Sequence, residues 1–159
     1  AGPLREPLPR RLPPRRHLLY NAPRPSTPLP GALALRSPGP ALMLADWQAG
    51  RSERAVALES LRGPRWLAVA GVAAPERFFA MLEAAGLAIE RMPLPDHHAY
   101  AALPWPAATG RVLTTEKDAV KLDPARLGAT QVWVVGLDFR LPPDFTQALL
   151  AELGPPRPR

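Results

Sequence analysis

The uneven placement of proline constrains the fold of this chain more than any other feature. The sequence has 23 prolines in 159 residues, and they crowd residues 1–40 and the tail at 154–159. Because proline fixes φ and lacks a backbone N–H, it interrupts helices and central strands. We therefore predict a Pro/Arg-rich irregular segment over residues 1–40, one domain over residues 41–153 and a disordered tail over residues 154–159. With 47% apolar residues, the chain can build one core of ordinary size.

Within residues 41–153, apolar runs alternate with helical patterns. Residues 66–72 form a continuous apolar run, which is typical of a strand covered on both faces. Pro75 then suits the first turn of a helix, and Gly86 suits its end. The apolar stripe of this helix consists of Phe78, Phe79, Leu82 and Ala85.

The same patterns predict the other elements. We expect strands over residues 41–47, 87–94, 111–114 and 131–135, a helix or turn over residues 54–61, and helices over residues 96–103, 116–122 and 143–153. The last helix is expected to turn Phe145, Leu149, Leu150 and Leu153 inward. Strands that alternate with helices indicate an α/β fold, with a mainly parallel sheet and flanking helices in three layers. Residues 1–40 are expected to be unordered, since their apolar run at 17–20 has no evident partner.

The loops after three of the predicted strands carry most of the reactive side chains. In an open parallel sheet every strand-to-helix loop emerges at the carboxyl edge, where ligands bind. The loops in question are residues 71–76, 94–98 and 114–118. We therefore expect Asp96, His97 and Lys117 to share one rim of the sheet.

The loop at 94–98 contains the cluster Asp96-His97-His98. Such a cluster can cap a helix, hold a metal ion or do general acid–base chemistry, since a histidine titrates near neutral pH and a neighbouring carboxylate can orient it. A zinc site is disfavoured, because the sequence has no cysteine and the third histidine, His17, lies in another segment. The residues alone leave capping and acid–base chemistry open.

The segment Thr115-Glu116-Lys117-Asp118 has the pattern of a helix start. Thr115 and Asp118 can satisfy free backbone amides of the first turn. Lys117 does not fit this interpretation, because a cation there faces the positive end of the helix dipole. Its position indicates either an anionic ligand such as a phosphate or a tolerated surface lysine.

Arg5 and Glu6 lie between Pro3 and Pro7, in a stiff and extended stretch. By composition alone this stretch is a solvated linker. In a phosphoryl-transfer site, however, an arginine can neutralise the moving phosphoryl group while a carboxylate holds Mg²⁺.

Charge and cysteine content narrow the partners of the chain. The formal net charge of +6 indicates an anionic partner, which can be nucleic acid, phospholipid headgroups or a phosphorylated small molecule. Few aromatic residues are present and none interleaves with the arginines of residues 1–40, which argues against nucleic acid. The lack of cysteine fits a reducing compartment. The longest apolar stretch is about half the length of a spanning helix.

Four motifs occur in the order of those of a known family. They are Gly2-Pro3-Leu4-Arg5-Glu6-Pro7, Pro75-Glu76-Arg77-Phe78-Phe79, Pro95-Asp96-His97-His98 and Thr115-Glu116-Lys117-Asp118-Ala119-Val120-Lys121. Together they resemble the C-terminal half of the tetraacyldisaccharide 4'-kinase family, the lipid A 4'-kinases of Gram-negative bacteria. The resemblance implies transfer of the ATP γ-phosphate to the 4'-hydroxyl of a tetraacyldisaccharide 1-phosphate, with ATP and Mg²⁺ as cofactors, in lipopolysaccharide biosynthesis.

The resemblance also implies roles for particular residues. Catalytic roles fall to His97, Asp96 and Arg5, with His97 helping to activate the sugar hydroxyl, and Glu6 is the metal-linked group. His97 is preferred over His98, because the family pattern fixes the histidine directly after the aspartate.

Two further residues, Lys117 and Asp118, match the last of the four motifs. Contact with the nucleotide, or with another domain, is our hypothesis for both of them.

The implied setting is the smaller C-terminal domain of a P-loop-type kinase, preceded by the end of the kinase core in residues 1–40. The implied partners are the acylated disaccharide phosphate lipid, ATP, the surface of the inner membrane and the N-terminal kinase domain of the same protein, with no nucleic acid. The implied location is the cytoplasmic face of the bacterial inner membrane.

One departure of the sequence from a complete kinase bears directly on activity. It contains no Gly-x-x-x-x-Gly-Lys-Ser/Thr motif to cradle the ATP phosphates, so the chain alone is expected to be inactive. The alternative interpretation is a non-catalytic basic α/β module that binds anionic lipid, nucleotide or nucleic acid.

Overall fold

The computed structural model of the chain describes residues 7–22 and 24–153. Arg5, Glu6 and the predicted tail at 154–159 lie outside the described residues. The chain divides into two compact units, one of residues 37–138 and the other of residues 1–36 with 139–159. The predicted division at residues 41 and 153 stays a prediction.

The described residues form seven strands and four α-helices. In chain order the strands are β1 (Leu19–Tyr20), β2 (Ala32–Leu33), β3 (Leu35–Met43), β4 (Arg65–Ala70), β5 (Ala88–Pro93), β6 (Arg111–Thr115) and β7 (Gln131–Arg140). The helices are α1 (Leu44–Gln48), α2 (Pro75–Ala84), α3 (Glu116–Ala119) and α4 (Pro143–Leu153). Three short 3₁₀ turns lie at Ser52–Arg54, Leu58–Leu61 and Pro124–Arg126.

Residues 37–138 are built around a five-stranded sheet with the spatial order β3-β7-β6-β4-β5. The pairs β7–β6, β6–β4 and β4–β5 are parallel, within a sheet that is mixed overall. The predicted mainly parallel α/β sheet is therefore confirmed. The carboxyl ends of β4, β5 and β6 lie at one edge, because these strands run in the same direction.

Both faces of this sheet are covered by apolar residues. On β4, Trp66 and Ala68 join one buried cluster and Val69 joins another, since successive side chains of a strand point to opposite faces. The first cluster includes Phe79 and Leu82 of α2, both fully buried. The second contains Leu44 of α1, Ala119 of α3, Tyr100 and Trp105. The predicted three-layered arrangement is thus confirmed.

Several element boundaries differ from the sequence patterns. The strand predicted over residues 41–47 is wrong in its second half, because β3 ends at Met43 and the buried Leu44 begins α1. A short apolar run does not distinguish a strand from a buried helix, which explains the error. The helix predicted over residues 116–122 ends at Ala119, and the strand predicted over residues 131–135 continues to Arg140.

The helix predicted over residues 96–103 is wrong, since no helix lies there. His97 has φ of 61° and Tyr100 has φ of 53°, both in the left-handed region. A right-handed helix cannot contain such residues. The segment is instead a loop that turns twice, and this loop carries the Asp96-His97-His98 cluster.

The other unit contains β1, β2 and α4. β1 and β2 pair in parallel, with the amides of Ala32 and Ala34 donating to the carbonyl oxygens of Leu18 and Tyr20. Tyr20 is buried, and its hydroxyl donates to the carbonyl oxygen of Leu29 at 2.7 Å. The expectation that the apolar run at 17–20 lacks a partner is therefore wrong.

Helix α4 buries less of its surface than its pattern predicts. Phe145 and Leu149 are half-buried, and the His17 ring packs edge-on against Phe145 at 5.8 Å. Leu150 and Leu153 are 61% and 70% exposed, so the prediction that they point inward is wrong. Among residues 7–22 and 24–153, no helix is both long and apolar enough to cross a membrane.

Candidate functional site

A groove of about 540 Å³ lies at the carboxyl edge of the parallel strands in residues 37–138. Its lining comprises Trp47, Gly71, Ala73, Asp96, His97, Glu116, Lys117, Val120 and Lys121. These residues come from α1 and from the segments that follow β4, β5 and β6. The structure thus brings Asp96, His97 and Lys117 to one rim, as their loop positions predict.

His97 is a highly exposed side chain of the groove. Its imidazole is 91% exposed, and its Nε2 lies 3.7 Å from Oδ2 of Asp96. The backbone N–H of His97 donates to Oδ1 of Asp96 at 3.1 Å and to the carbonyl oxygen of Gly71 at 3.3 Å. These two bonds hold a left-handed residue that costs about 1–3 kcal/mol of backbone strain. Asp96 therefore fixes the next residue of its own loop rather than capping a helix.

His98 turns away from the groove. Its ring packs edge-on against Tyr100, with the ring centroids 4.8 Å apart, and its side chain is half-buried. Of the two adjacent histidines, only His97 lines the groove. The geometry therefore supports His97 as the one available to a ligand.

Thr115 caps helix α3 in the way its sequence pattern predicts. Its hydroxyl oxygen accepts from the backbone N–H of Asp118 at 3.2 Å and lies 2.8 Å from Oδ2 of the same residue. The side chain of Asp118 is fully buried, and its Oδ2 also accepts from the backbone N–H of Gly71 at 3.0 Å. Asp118 therefore lies beneath the groove and is not part of its lining.

Two lysines contribute positive charge to the groove, whose lining also contains the carboxylates of Asp96 and Glu116. Lys117 is exposed on α3, and Lys121 follows one turn later. The Nζ of Lys121 lies 3.5 Å from Oδ1 of Asp118 and 5.8 Å from the centroid of the Tyr100 ring. Because both cations line a water-accessible groove, an anion such as a phosphate can approach them without desolvating a buried charge.

Tyr100 lies next to Lys121 and His98, and only 3% of it is exposed. Burial raises the pKa of the Tyr100 hydroxyl, and the negative charge of Asp118 raises it further. Within the described part of the chain, the Tyr100 hydroxyl has no hydrogen-bond partner. Both effects favour the neutral phenol in the folded protein.

Of the two predicted cofactors, the described residues suit ATP better than Mg²⁺. The lysines and the open groove suit the anionic phosphates of a nucleotide. For a metal ion, residues 7–22 and 24–153 contain no group of three or more His, Asp or Glu side chains arranged to hold one. The predicted metal residue Glu6 and the predicted catalytic residue Arg5 lie outside the described residues.

Trp47 lines the groove, although no predicted site included it. It lies on α1, where a strand was predicted, and it also lines a neighbouring groove of about 410 Å³ that shares Glu116. Gln48 links α1 to the segment after α3, because its Nε2 donates to the carbonyl oxygen of Leu122 at 2.8 Å. A tryptophan in the polar stretch Asp46-Trp47-Gln48 is the one hint that the sequence offered.

Comparisons with known proteins point to one family. A model of the family described as tetraacyldisaccharide-1-P 4'-kinase, LpxK, matches residues 1–154. The tetraacyldisaccharide 4'-kinases of Methylibium petroleiphilum and Leptothrix cholodnii are 51% and 49% identical to this chain. Their alignments cover 100% and 99% of this chain but 46% and 47% of the relatives. The chain thus spans about half the length of the curated relatives that it matches.

One solved structure shares the fold. It is the crystal structure of the "apo" form of LpxK from Aquifex aeolicus in complex with ATP, which superposes with a TM-score of 0.56. The match covers 82% of this chain and 38% of the other, at 20% sequence identity. At that identity the likeness supports the fold and not the role of any residue.

Proposed function

Because the chain belongs to the tetraacyldisaccharide-1-P 4'-kinase family, we propose that it supplies the C-terminal part of a lipid A 4'-kinase. The complete reaction transfers the γ-phosphate of ATP to the 4'-hydroxyl of an acylated disaccharide 1-phosphate. The observation that carries this proposal is the meeting of Asp96, His97 and Lys117 in one groove at the carboxyl edge of the sheet. Acid–base and phosphate-binding groups have to converge in this way for phosphoryl transfer.

His97 is the group that accepts the proton of the sugar hydroxyl. Its imidazole is exposed, and the Asp96 carboxylate at 3.7 Å can orient it. His97 acts together with an acidic residue that lies outside this chain.

Lys117 and Lys121 attract the phosphates of ATP. Both line the groove that contains His97. Glu6 is the proposed ligand from this chain for Mg²⁺, which would neutralise phosphate charge when bound.

The remaining parts of the active site come from an N-terminal kinase domain. The sequence of this chain lacks a phosphate-cradling loop, and the relatives it matches are about twice as long. The chain therefore forms one wall of a site whose other wall holds the nucleotide.

The acceptor is an acylated lipid, which determines the proposed location. A kinase that acts on a lipid headgroup with cytoplasmic ATP works at the cytoplasmic face of the inner membrane. The net charge of +6 favours this location, because anionic headgroups attract a basic protein. Sedimentation with vesicles of anionic and of zwitterionic lipid at low and high salt measures this attraction.

The role of His97 is tested in the full-length kinase with the substitutions His97→Ala and His98→Phe. We expect His97→Ala to lower kcat by about 10²–10⁴, because the general base is removed. His98→Phe preserves the ring that packs on Tyr100, so kcat should stay close to the unsubstituted value. An active His97→Ala enzyme would show that the proposed role is wrong.

A further inference from the structure

A buried carboxylate lies directly beneath the groove and holds the loops that form it. Asp118 is 0% exposed, although charged side chains are rarely buried without a purpose. Its Oδ2 accepts from the backbone N–H of Gly71 at 3.0 Å and from the hydroxyl of Thr115 at 2.8 Å. Gly71 follows β4 and Thr115 ends β6, so one oxygen atom ties two strand ends together.

The connection continues from Gly71 to His97. The carbonyl oxygen of Gly71 accepts from the backbone N–H of His97 at 3.3 Å, while the N–H of the same Gly71 donates to Asp118. A Cβ on Gly71 would lie 2.9 Å from Oδ1 of Asp118 and 3.2 Å from Cβ of His98. The Gly71 backbone is thus enclosed between the carboxylate and the histidine loop, and a shift at Asp118 moves both.

Capping of α3 does not account for this carboxylate. The cap bond runs from the backbone N–H of Asp118 to the hydroxyl oxygen of Thr115, and it requires no carboxylate. The second oxygen, Oδ1, has no hydrogen-bond partner among the described residues, and Lys121 Nζ lies 3.5 Å from it. Two hydrogen bonds to Oδ2 and the ion pair with Lys121 therefore hold the carboxylate in the interior, and none of these three contacts is needed to cap the helix.

We propose that Asp118 is a positioning residue for His97, acting through the Gly71 peptide. By fixing the N–H of Gly71, Asp118 fixes the direction of the Gly71 carbonyl, which holds His97 in its left-handed conformation. The imidazole then points into the groove at a constant angle. This inference rests on the proposed role of His97, and it replaces direct contact of Asp118 with the nucleotide.

Amide hydrogen exchange in the full-length protein tests the structural part of the inference. In Asp118→Ala we expect the exchange of the Gly71 and His97 amides to accelerate at least tenfold, while Asp118→Asn, which retains an acceptor oxygen, gives a smaller acceleration at the same two amides. The matched control is Thr130→Val, since the Thr130 hydroxyl is also buried and donates to the carbonyl oxygen of Thr109 at 2.8 Å. This control should leave both amides unchanged.

Steady-state kinetics test the functional part. We expect Asp118→Ala to lower kcat at least tenfold, and Asp118→Asn to recover most of that loss. Combined with His97→Ala, Asp118→Ala should cause no further loss, because its effect requires the imidazole. A residue needed only for folding would lower the activity of both backgrounds equally.

Three results would overturn the inference: unchanged exchange at Gly71 and His97, an added loss in the double variant, or acceleration spread equally over strand β6. If Asp118→Ala does not fold, Asp118→Asn decides, because its smaller acceleration should still be confined to the Gly71 and His97 amides. If the unsubstituted protein transfers no phosphate, the proposed function is wrong, and the exchange experiment still decides whether Asp118 positions His97.

Discussion

At the scale of single residues, the most informative side chains are polar groups buried next to the groove. Tyr100 and Asp118 are 3% and 0% exposed, and each has a side-chain oxygen without a hydrogen-bond partner among the described residues. Lys121 lies near both, and the His98 ring covers one edge of the Tyr100 ring. Buried polar groups of this kind are expected next to functional sites, where proteins depart from the usual rules of burial.

The buried hydroxyl of Tyr100 makes stability depend on alkaline pH. A tyrosine titrates near pH 10 in the unfolded chain, whereas burial and Asp118 raise the pKa of Tyr100 in the folded protein. Below about pH 10 both states hold the proton, so Tyr100 adds no pH dependence to the stability. Above it only the unfolded state releases the proton, so the free energy of unfolding falls by up to about 1.4 kcal/mol per pH unit.

The substitution Tyr100→Phe removes this dependence. We expect the variant to match the unsubstituted protein within about 1 kcal/mol at pH 8, since the lost hydroxyl has no partner among the described residues. Between pH 10 and 11 the unsubstituted protein should lose more stability than the variant, as urea unfolding at each pH would show. An equal alkaline loss in both proteins would contradict the prediction.

At the scale of elements, local patterns predicted the pieces whose structure is decided locally. Helix α2 begins at Pro75, and the left-handed Gly86 follows its end, as the sequence indicates. Thr115 likewise caps α3. The loop after β5 was predicted wrongly, because its two left-handed residues are held by contacts with other elements. The Gly71 carbonyl oxygen that bonds His97 is 26 positions away in sequence, beyond the reach of any local pattern.

The same limit applies to the site. The rim that Asp96, His97 and Lys117 share follows from strand order and could be expected from the parallel sheet. The burial of Asp118 and the position of Trp47 in the groove could not be expected from the sequence, because each depends on how separate elements pack. The sequence therefore predicts which loops meet at the groove, but it does not predict the buried carboxylate beneath them.

The turn after β4 provides a test at this scale, since Gly71 connects three elements. A methyl group there would lie 2.9 Å from Asp118 Oδ1 and 3.3 Å from the carbonyl oxygen of Pro95. We expect Gly71→Ala to reduce the free energy of unfolding by about 1–3 kcal/mol. The matched control is Gly110→Ala, because a Cβ on Gly110 meets no atom within 4 Å. Thermal or urea unfolding compares the two, and equal losses would contradict the packing argument.

At the scale of the whole molecule, the chain spans about half the length of the curated relatives that it matches. It covers 46% of the Methylibium petroleiphilum relative and contains no phosphate-cradling sequence motif. The groove contributes a candidate base and two cations, which do not by themselves orient a nucleotide for in-line transfer. Activity should therefore require a second polypeptide part.

Reconstitution from two polypeptides tests whether activity requires both parts. The 159-residue chain is mixed with the N-terminal part of a full-length relative, ATP, Mg²⁺ and the acylated disaccharide 1-phosphate, and transfer of labelled γ-phosphate to the lipid is measured. We expect no transfer by either part alone and measurable transfer by the mixture, because each supplies one wall of the site. A mixture containing His97→Ala should show at least a hundredfold less. Transfer by the chain alone would show that the phosphate-holding groups lie within these 159 residues.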